Sequence, residues 1–455
     1  MRLFTDIVQH KRLFSLAVPM ILSNITVPLL GLVDTAVIGH LDHAYFLGGS
    51  TVGAMIITFV IWLCGFLRMS TSGLAAQAYG ARNSQQGVLV LLRGLLVACA
   101  IGGILIIAQK LYLDFALSLA GGSADVQFYA RQYADIRIWG LPAALSSLVI
   151  VGWLLGNHQA KSVMWVLIIT NGVNLVLDLV FVVGFGWQVK GVALATLIAE
   201  YAGLLFGLWL IAQRFSDSLH KIKNSFSKYY YALIDVANLS SYFKLNRDIL
   251  IRTLCLEICF VFITFQGARL GDNVVAANAI LMNFLLLVSF GLDGIANAVE
   301  AMVGHAKGEK NKPALQSVVN IALFWTAIFA TMYALAFALF GEQFISLISD
   351  IPAVVNIANQ YLIWIIFLPV IACWCFLFDG VYIGLMQAKT MRNSMLLATF
   401  GTFFPIWFLL QGMGNHGLWA AFSGFMLLRG ISLAWHYKTH RHAFITADHG
   451  GENHV

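Results

Sequence analysis

Apolar runs separated by short polar turns recur along the whole chain. Each run reaches the roughly 18 residues that a helix needs to cross a hydrocarbon core about 30 Å thick. The pattern predicts twelve such helices, at 13–39, 50–79, 88–109, 124–156, 162–183, 190–213, 247–269, 275–304, 314–340, 354–386, 392–411 and 416–437. No stretch has the mixed polarity of a soluble domain. The longest interruption, 214–246, is basic, aromatic and serine-bearing, and it divides the spans six and six. It reads as a cytoplasmic linker on the inner membrane surface, between lobes 1–213 and 247–437. Residues 438–455 read as a cytoplasmic tail, and His440, His442, His449 and His454 there mark a solvated end rather than a metal site.

The two halves repeat each other at a constant offset. QAYGARN at Gln77–Asn83 matches HAKGEKN at His305–Asn311, a shift of 228 residues. The same shift carries GNHQAK at Gly156–Lys161 onto GLMQAK at Gly384–Lys389, Gly152 onto Gly380, and Tyr133 onto Tyr361. With a slip of two, KGVALA from Lys190 matches HGLWAA from His416. A repeat of six spans keeps its orientation in the membrane. The predicted fold is therefore all-α and integral to the membrane, with twelve transmembrane helices in two six-helix lobes related by a pseudo-two-fold along the membrane normal. Rocking one lobe against the other would open a cleft to alternate sides, which is how a transporter works.

Composition agrees: 60% of residues are hydrophobic and 11% charged, so the chain needs lipid as its solvent. The opening MRLFTDIVQHKR lacks a short apolar core followed by a small-residue cleavage site, so the first helix is expected to be permanent. Nineteen lysines and arginines fall on one side of the predicted spans, and only Lys110, Arg131, Lys190 and Arg269 on the other. The positive-inside rule then puts both termini in the cytoplasm and explains the net charge of +6 without nucleic acid. All six cysteines lie within spans, where they read as packing residues, and no histidine stands near Cys255 and Cys259 to complete a metal site. GxxxxGK[ST], HExxH and GxSxG in context are absent, so neither a nucleotide engine nor a hydrolase is expected, and no cofactor. The energy would come from an ion gradient.

Charge at bilayer depth costs at least roughly 2.5–3.5 kcal/mol, which makes each such residue a functional candidate. In the first span Asn24, Val27, Gly31 and Asp34 share a face, with Asp34 roughly 9 Å from the outer end. In the fifth span Asn171, Asn174 and Asp178 share a face, and Thr196 in the sixth falls at the same depth. Two carboxylates in this layer cannot both ionise cheaply, so Asp34, Asp178, Asn174 and Thr196 are expected to handle an exchangeable proton. Pro19 and Pro28 interrupt the first helix and would let it bend. The second half buries its own charges. Arg252 and Glu300 lie shallow and would pair; Glu257 and Asp293 lie about 15 Å deep and form a second candidate cation site. Arg68 reads as a satisfied internal partner, and Asp379 completes the set.

The stretches VPLLGLVDTAVIGHLD, LRMSTSGLAAQAYGARN, GLDGIANAVEA and FDGVYIGLMQAKTMRNSM resemble the DinF branch of the MATE (multidrug and toxic compound extrusion) family, over essentially the whole chain. The resemblance implies a twelve-helix, two-lobe antiporter that expels amphipathic, often cationic compounds in exchange for protons or sodium ions. It assigns the coupling acid to Asp34, the NxxxD pair to Asn174 and Asp178, the threonine of GVALAT to Thr196, and the bending proline to Pro19. One departure is Leu30, where some relatives place a tyrosine one turn before the aspartate. The sodium-coupled branch carries a carboxylate in span seven, where Glu257 lies, whereas its span-ten aspartate does not align with Asp379.

The leading expectation is a proton-coupled multidrug exporter in a bacterial cytoplasmic (inner) membrane, acting as a monomer on small amphipathic molecules. Alternatives are sodium coupling, or a lipid-linked saccharide flippase of the same superfamily, whose cavity should be richer in arginine. An integral-membrane acyltransferase would need a paired acid–base set at an interface, and none is evident.

Overall fold

Two tight turns, each built twice, frame the architecture. In the computed structural model, which describes residues 6–39, 44–120, 123–215 and 236–446, with side chains over 6–26, 45–120, 123–215 and 240–444, every long element is a helix. Helices are what an apolar chain in lipid must form, because each backbone N–H and C=O has to find its partner within the segment.

The long helices are α1 (Ile7–Gly39), α2 (Tyr45–Gly80), α3 (Ser84–Ile107), α4 (Ala124–Gly156), α5 (Ala160–Gly184), α6 (Gln188–Arg214), α7 (Val236–Leu270), α8 (Asp272–Gly308), α9 (Lys312–Ile348), α10 (Pro352–Gly384), α11 (Ala388–Met413) and α12 (Asn415–His440). Ten of them, α2–α6 and α8–α12, are long and apolar enough to cross a membrane. The chain is a multi-pass membrane protein. α8 and α9, at 37 residues each, are about 55 Å long and overrun a 30 Å core, so they tilt or project beyond it.

The repeat is legible at atomic detail. α2 and α8 end alike: Arg82 and Lys310, 228 apart, take left-handed φ angles of 54° and 55°. Asn83 N donates to Ala78 O and Asn311 N to Ala306 O, both at 2.9 Å, which closes each helix with a Schellman-type bond. The same two asparagines then cap the next helices, accepting from Gln86 N at 3.0 Å and Ala314 N at 3.1 Å. His158 and Met386 repeat the left-handed turn after α4 and α10. Gly152 packs against the Arg68 carbonyl oxygen and Gly380 against that of Ala296; a Cβ at either position would overlap it. Gly156 and Gly384 meet Ser72 O and Glu300 O in the same way, at 2.5 and 2.6 Å from an added Cβ.

Contacts divide the chain into two compact units: Leu22–Leu239, and Ser240–Val455 together with Met1–Ile21. The start of α1 thus groups with the second unit, where the hydrophobic pattern alone assigned 1–213 to the first. Polar contacts explain it: Trp325 Nε1 donates to His10 Nδ1 at 2.9 Å, Ser317 Oγ to Asp6 Oδ2 at 3.1 Å, and Phe14 sits edge-on to Trp325. A second difference is that α7 begins at Val236, inside the expected 214–246 linker, because Leu239, Tyr242 and Asn246 continue a helical spacing. The core of the second unit is an aromatic and sulfur-bearing cluster that includes Cys259, Cys373, Cys375, Phe403, Trp419 and Phe422. The first unit packs Phe46, Tyr133, Val182, Val189 and Val192 together, with Tyr45 stacked on Tyr129 at 5.4 Å.

Candidate functional site: a buried acid–amide layer

Three of the expected residues meet in the first unit. Asp178 is fully buried at the end of regular α5, where the helix widens into a π turn over Leu179–Gly184, a distortion that recurs at functional sites. Asn174, one turn earlier, lies between Asp178 and α6, its side chain 3.1 Å from Thr196 Oγ1. A primary amide satisfies both neighbours with its nitrogen turned to the carboxylate. Nδ2 then donates to Asp178 Oδ2 at 3.3 Å, while Oδ1 accepts from Thr196 N at 3.2 Å and from Thr196 Oγ1 at 3.1 Å. The Thr196 hydroxyl has a second acceptor in Val192 O at 2.9 Å, so it has two places to send its one proton. An amide and a hydroxyl that can re-orient beside a dry carboxylate form a network that can follow a change in its charge.

The fourth residue, Asp34, has its side chain outside the described residues, but its place along α1 follows from the backbone. Asn171 Nδ2 donates to Thr26 Oγ1 at 2.8 Å and pins α5 to α1. In an alternating bundle these two odd-numbered spans run in the same direction. Asp34 is eight residues past Thr26 and Asp178 seven past Asn171, so both stand about 10–12 Å beyond the tie, at one level. Pro19 lies within α1, which is continuous helix from Ile7 to Gly39, so the prolines expected to interrupt it do not break it here. Pro28 and Leu30 fall among residues whose side chains are outside the description.

The second unit is organised around a different constellation. Arg252 takes Asp379 as its ion-pair partner, where spacing had suggested Glu300, and Arg429 of α12 binds the same Asp379 oxygen. One carboxylate thus joins α7, α10 and α12. Asp293 accepts from Ser289 Oγ at 2.9 Å, and Glu257 Oε1 is buried with no hydrogen-bond partner among the described residues. At the far end of the same unit Asn278 and Asn415 exchange amide hydrogen bonds of 2.8 and 2.9 Å, and Trp419 Nε1 donates to Asn278 Oδ1 at 2.9 Å. Among the described residues no group of three or more His, Cys, Asp and Glu side chains is placed to hold a metal ion.

Sequence reasoning missed one buried pair. Arg137 of α4 binds Glu200 of α6 through two bonds of 2.7 Å, in fork-to-fork geometry. Both residues, and Arg429, lie inside predicted spans; a complete count of charges within those spans would have flagged them.

A model of the MatE family matches this chain over residues 19–180 and 249–409. The chain belongs to the MATE family. The two matched segments fall in the two halves of the repeat, and the family is one of membrane transporters. The chain is 44% identical to the DNA damage-inducible protein F of Escherichia coli over 94% of its length and 92% of that protein. It is 26% identical to a probable multidrug resistance protein NorM of Acinetobacter baylyi, covering 93% of each chain, and 26% identical to the chloroplastic Protein DETOXIFICATION 44 of Arabidopsis thaliana, covering 94% and 82%. Among solved structures, the MATE transporter VcmN of Vibrio cholerae in its bent form superposes with a TM-score of 0.84 at 20% identity, over 96% of this chain and 98% of that one. An outward-facing MATE transporter of the MOP superfamily gives 0.83 at 19%, over 96% of both chains. The twelve-helix MATE fold is therefore that of this chain.

Proposed function

We propose that this MATE protein is a proton-coupled antiporter that exports amphipathic, often cationic compounds by alternating access. Asp34, Asp178, Asn174 and Thr196 form the coupling layer, and Pro19 is the point at which α1 bends. The protein is placed in a bacterial cytoplasmic membrane with both termini cytoplasmic and needs no cofactor; it acts as a monomer, with small molecules and lipid as its partners. The observation that supports this reading most is the Asn174 amide bonded between Asp178 and Thr196. A proton arriving on the layer removes a buried charge, the amide and hydroxyl re-pair, and α1, tied to α5 by Thr26 and Asn171, follows. Loss of the proton restores the charge and drives the helix back.

A second reading, sodium coupling in the other unit, is favoured by one detail: the unpartnered buried oxygen of Glu257, on the residue expected to work with Asp293. The test is export of a fluorescent organic cation from proteoliposomes under an imposed proton gradient or a sodium gradient alone, with wild type and Asp34→Asn. Proton-driven export that the variant loses supports the first reading. Sodium-driven export that survives Asp34→Asn and fails in Glu257→Gln transfers coupling to the second unit, and no export under either gradient favours a flippase.

A further inference from the structure

The Arg137–Glu200 pair has no role in the scheme above, yet it is sited where it would matter. Glu200 is one helical turn from Thr196 on the same face of α6, about 6 Å away at the Cβ atoms. Asn174, and behind it Asp178, bonds to that threonine. The pair is a built feature. Gly140 on α4 leaves the space it occupies, because a Cβ there would overlap Glu200 Oε2 and stand 3.0 Å from Arg137 Nη1. Arg137 is almost fully buried, and its Nε has no hydrogen-bond partner among the described residues.

The internal repeat shows that the architecture does not require these charges. At the offsets that superimpose the halves, Arg137, Gly140 and Glu200 correspond to Ile365, Leu368 and Met426 of the second unit. Those three are 1%, 1% and 2% exposed and belong to one hydrophobic cluster. Exchanging a buried ion pair for apolar residues is commonly neutral or stabilising, so packing alone would favour the apolar set in both units. A pair kept in the unit that holds the acid layer, one turn from that layer, has an electrostatic use.

We propose that Arg137 and Glu200 are positioning residues of the coupling site: the Glu200 carboxylate, held by Arg137, sets the pH at which the Asp34–Asp178 layer exchanges its proton. This rests on the proton-coupled reading. Two tyrosines adjoin the pair: Tyr133 on α4, which stands against Arg137, and Tyr201 on α6, which interacts with Glu200 and with Cys99 of α3.

The sign follows from Coulomb's law. Neutralising Glu200 leaves the Arg137 cation beside the layer, favours its ionised form, and makes it release protons at lower pH. The test is the pH profile of proton-driven export in proteoliposomes for wild type, Glu200→Gln, and the charge swap Arg137→Glu with Glu200→Arg, which keeps one buried ion pair but puts the cation on α6. Both variants should move the midpoint to lower pH, Glu200→Gln by about one unit, the effect of a unit charge roughly 10 Å away at an effective dielectric near 20. Should Glu200→Gln not accumulate, the swap alone decides. A wild-type midpoint in a folded variant, with only the rate reduced, means that the pair merely packs and overturns the proposal. Wild type with no proton-driven export overturns the coupling reading itself, a result distinct from an unmoved midpoint.

Discussion

At the scale of the residue, the decisive choices are partners for buried polar groups. Asp379 is the ion-pair partner of two buried guanidinium groups, so Asp379→Asn should cost about 3–5 kcal/mol and sharply lower the melting temperature in detergent, whatever the transport assay shows. Asn174→Ala removes the bridge between Asp178 and Thr196 while leaving both acids of the layer in place. It should abolish proton-driven export with little loss of folded protein, and full export would remove the amide from the mechanism. That Asn174, Asp178 and Thr196 lie at one depth was legible from helical rise, since the spans are rigid rulers. Which carboxylate meets Arg252 was not, because Asp379 and Glu300 are both reachable in sequence and only the packing of α7, α10 and α12 selects one.

At the scale of the element, the repeat makes paired predictions. Gly152→Val and Gly380→Val each drive a side chain into a neighbouring carbonyl, so each should destabilise by about 1–3 kcal/mol or more. Gly103→Ala on α3, where nothing lies within 4 Å of an added Cβ, should be neutral or gain roughly 0.5–1 kcal/mol. Thermal unfolding of the three variants checks both expectations, and equal melting temperatures would show that the close approaches are relaxed in solution. The turn motifs that end α2 and α8 were visible beforehand as the matched GARN and GEKN segments, because left-handed turns and asparagine caps are local chemistry. The π turn after Asp178 was not visible: widening a helix depends on what packs beside Leu179–Gly184, not on the residues within it.

At the scale of the whole molecule, the two units share a scaffold and differ in their buried charge, an acid–amide layer with an ion pair in one and an Arg–Asp–Arg cluster in the other. Coupling is accordingly expected to be lopsided: Asp178→Asn should abolish proton-driven export, whereas Glu257→Gln should leave most of it, as initial rates in proteoliposomes would show. The sequence by itself determined the helical class, the count of spans and the duplication, because lipid forces every apolar run of sufficient length into a helix and a constant offset survives in local turns. It also placed Asn174, Asp178 and Thr196 at one level. Only the tertiary structure decided that the first 21 residues group with the second unit, that Arg137 finds Glu200, and that Asp379 serves two arginines. The reason is physical: helix formation is settled by residues a few positions apart, whereas the partner of a buried charge is settled by which helix faces meet, and those partners lie 50 to 127 residues apart in the chain.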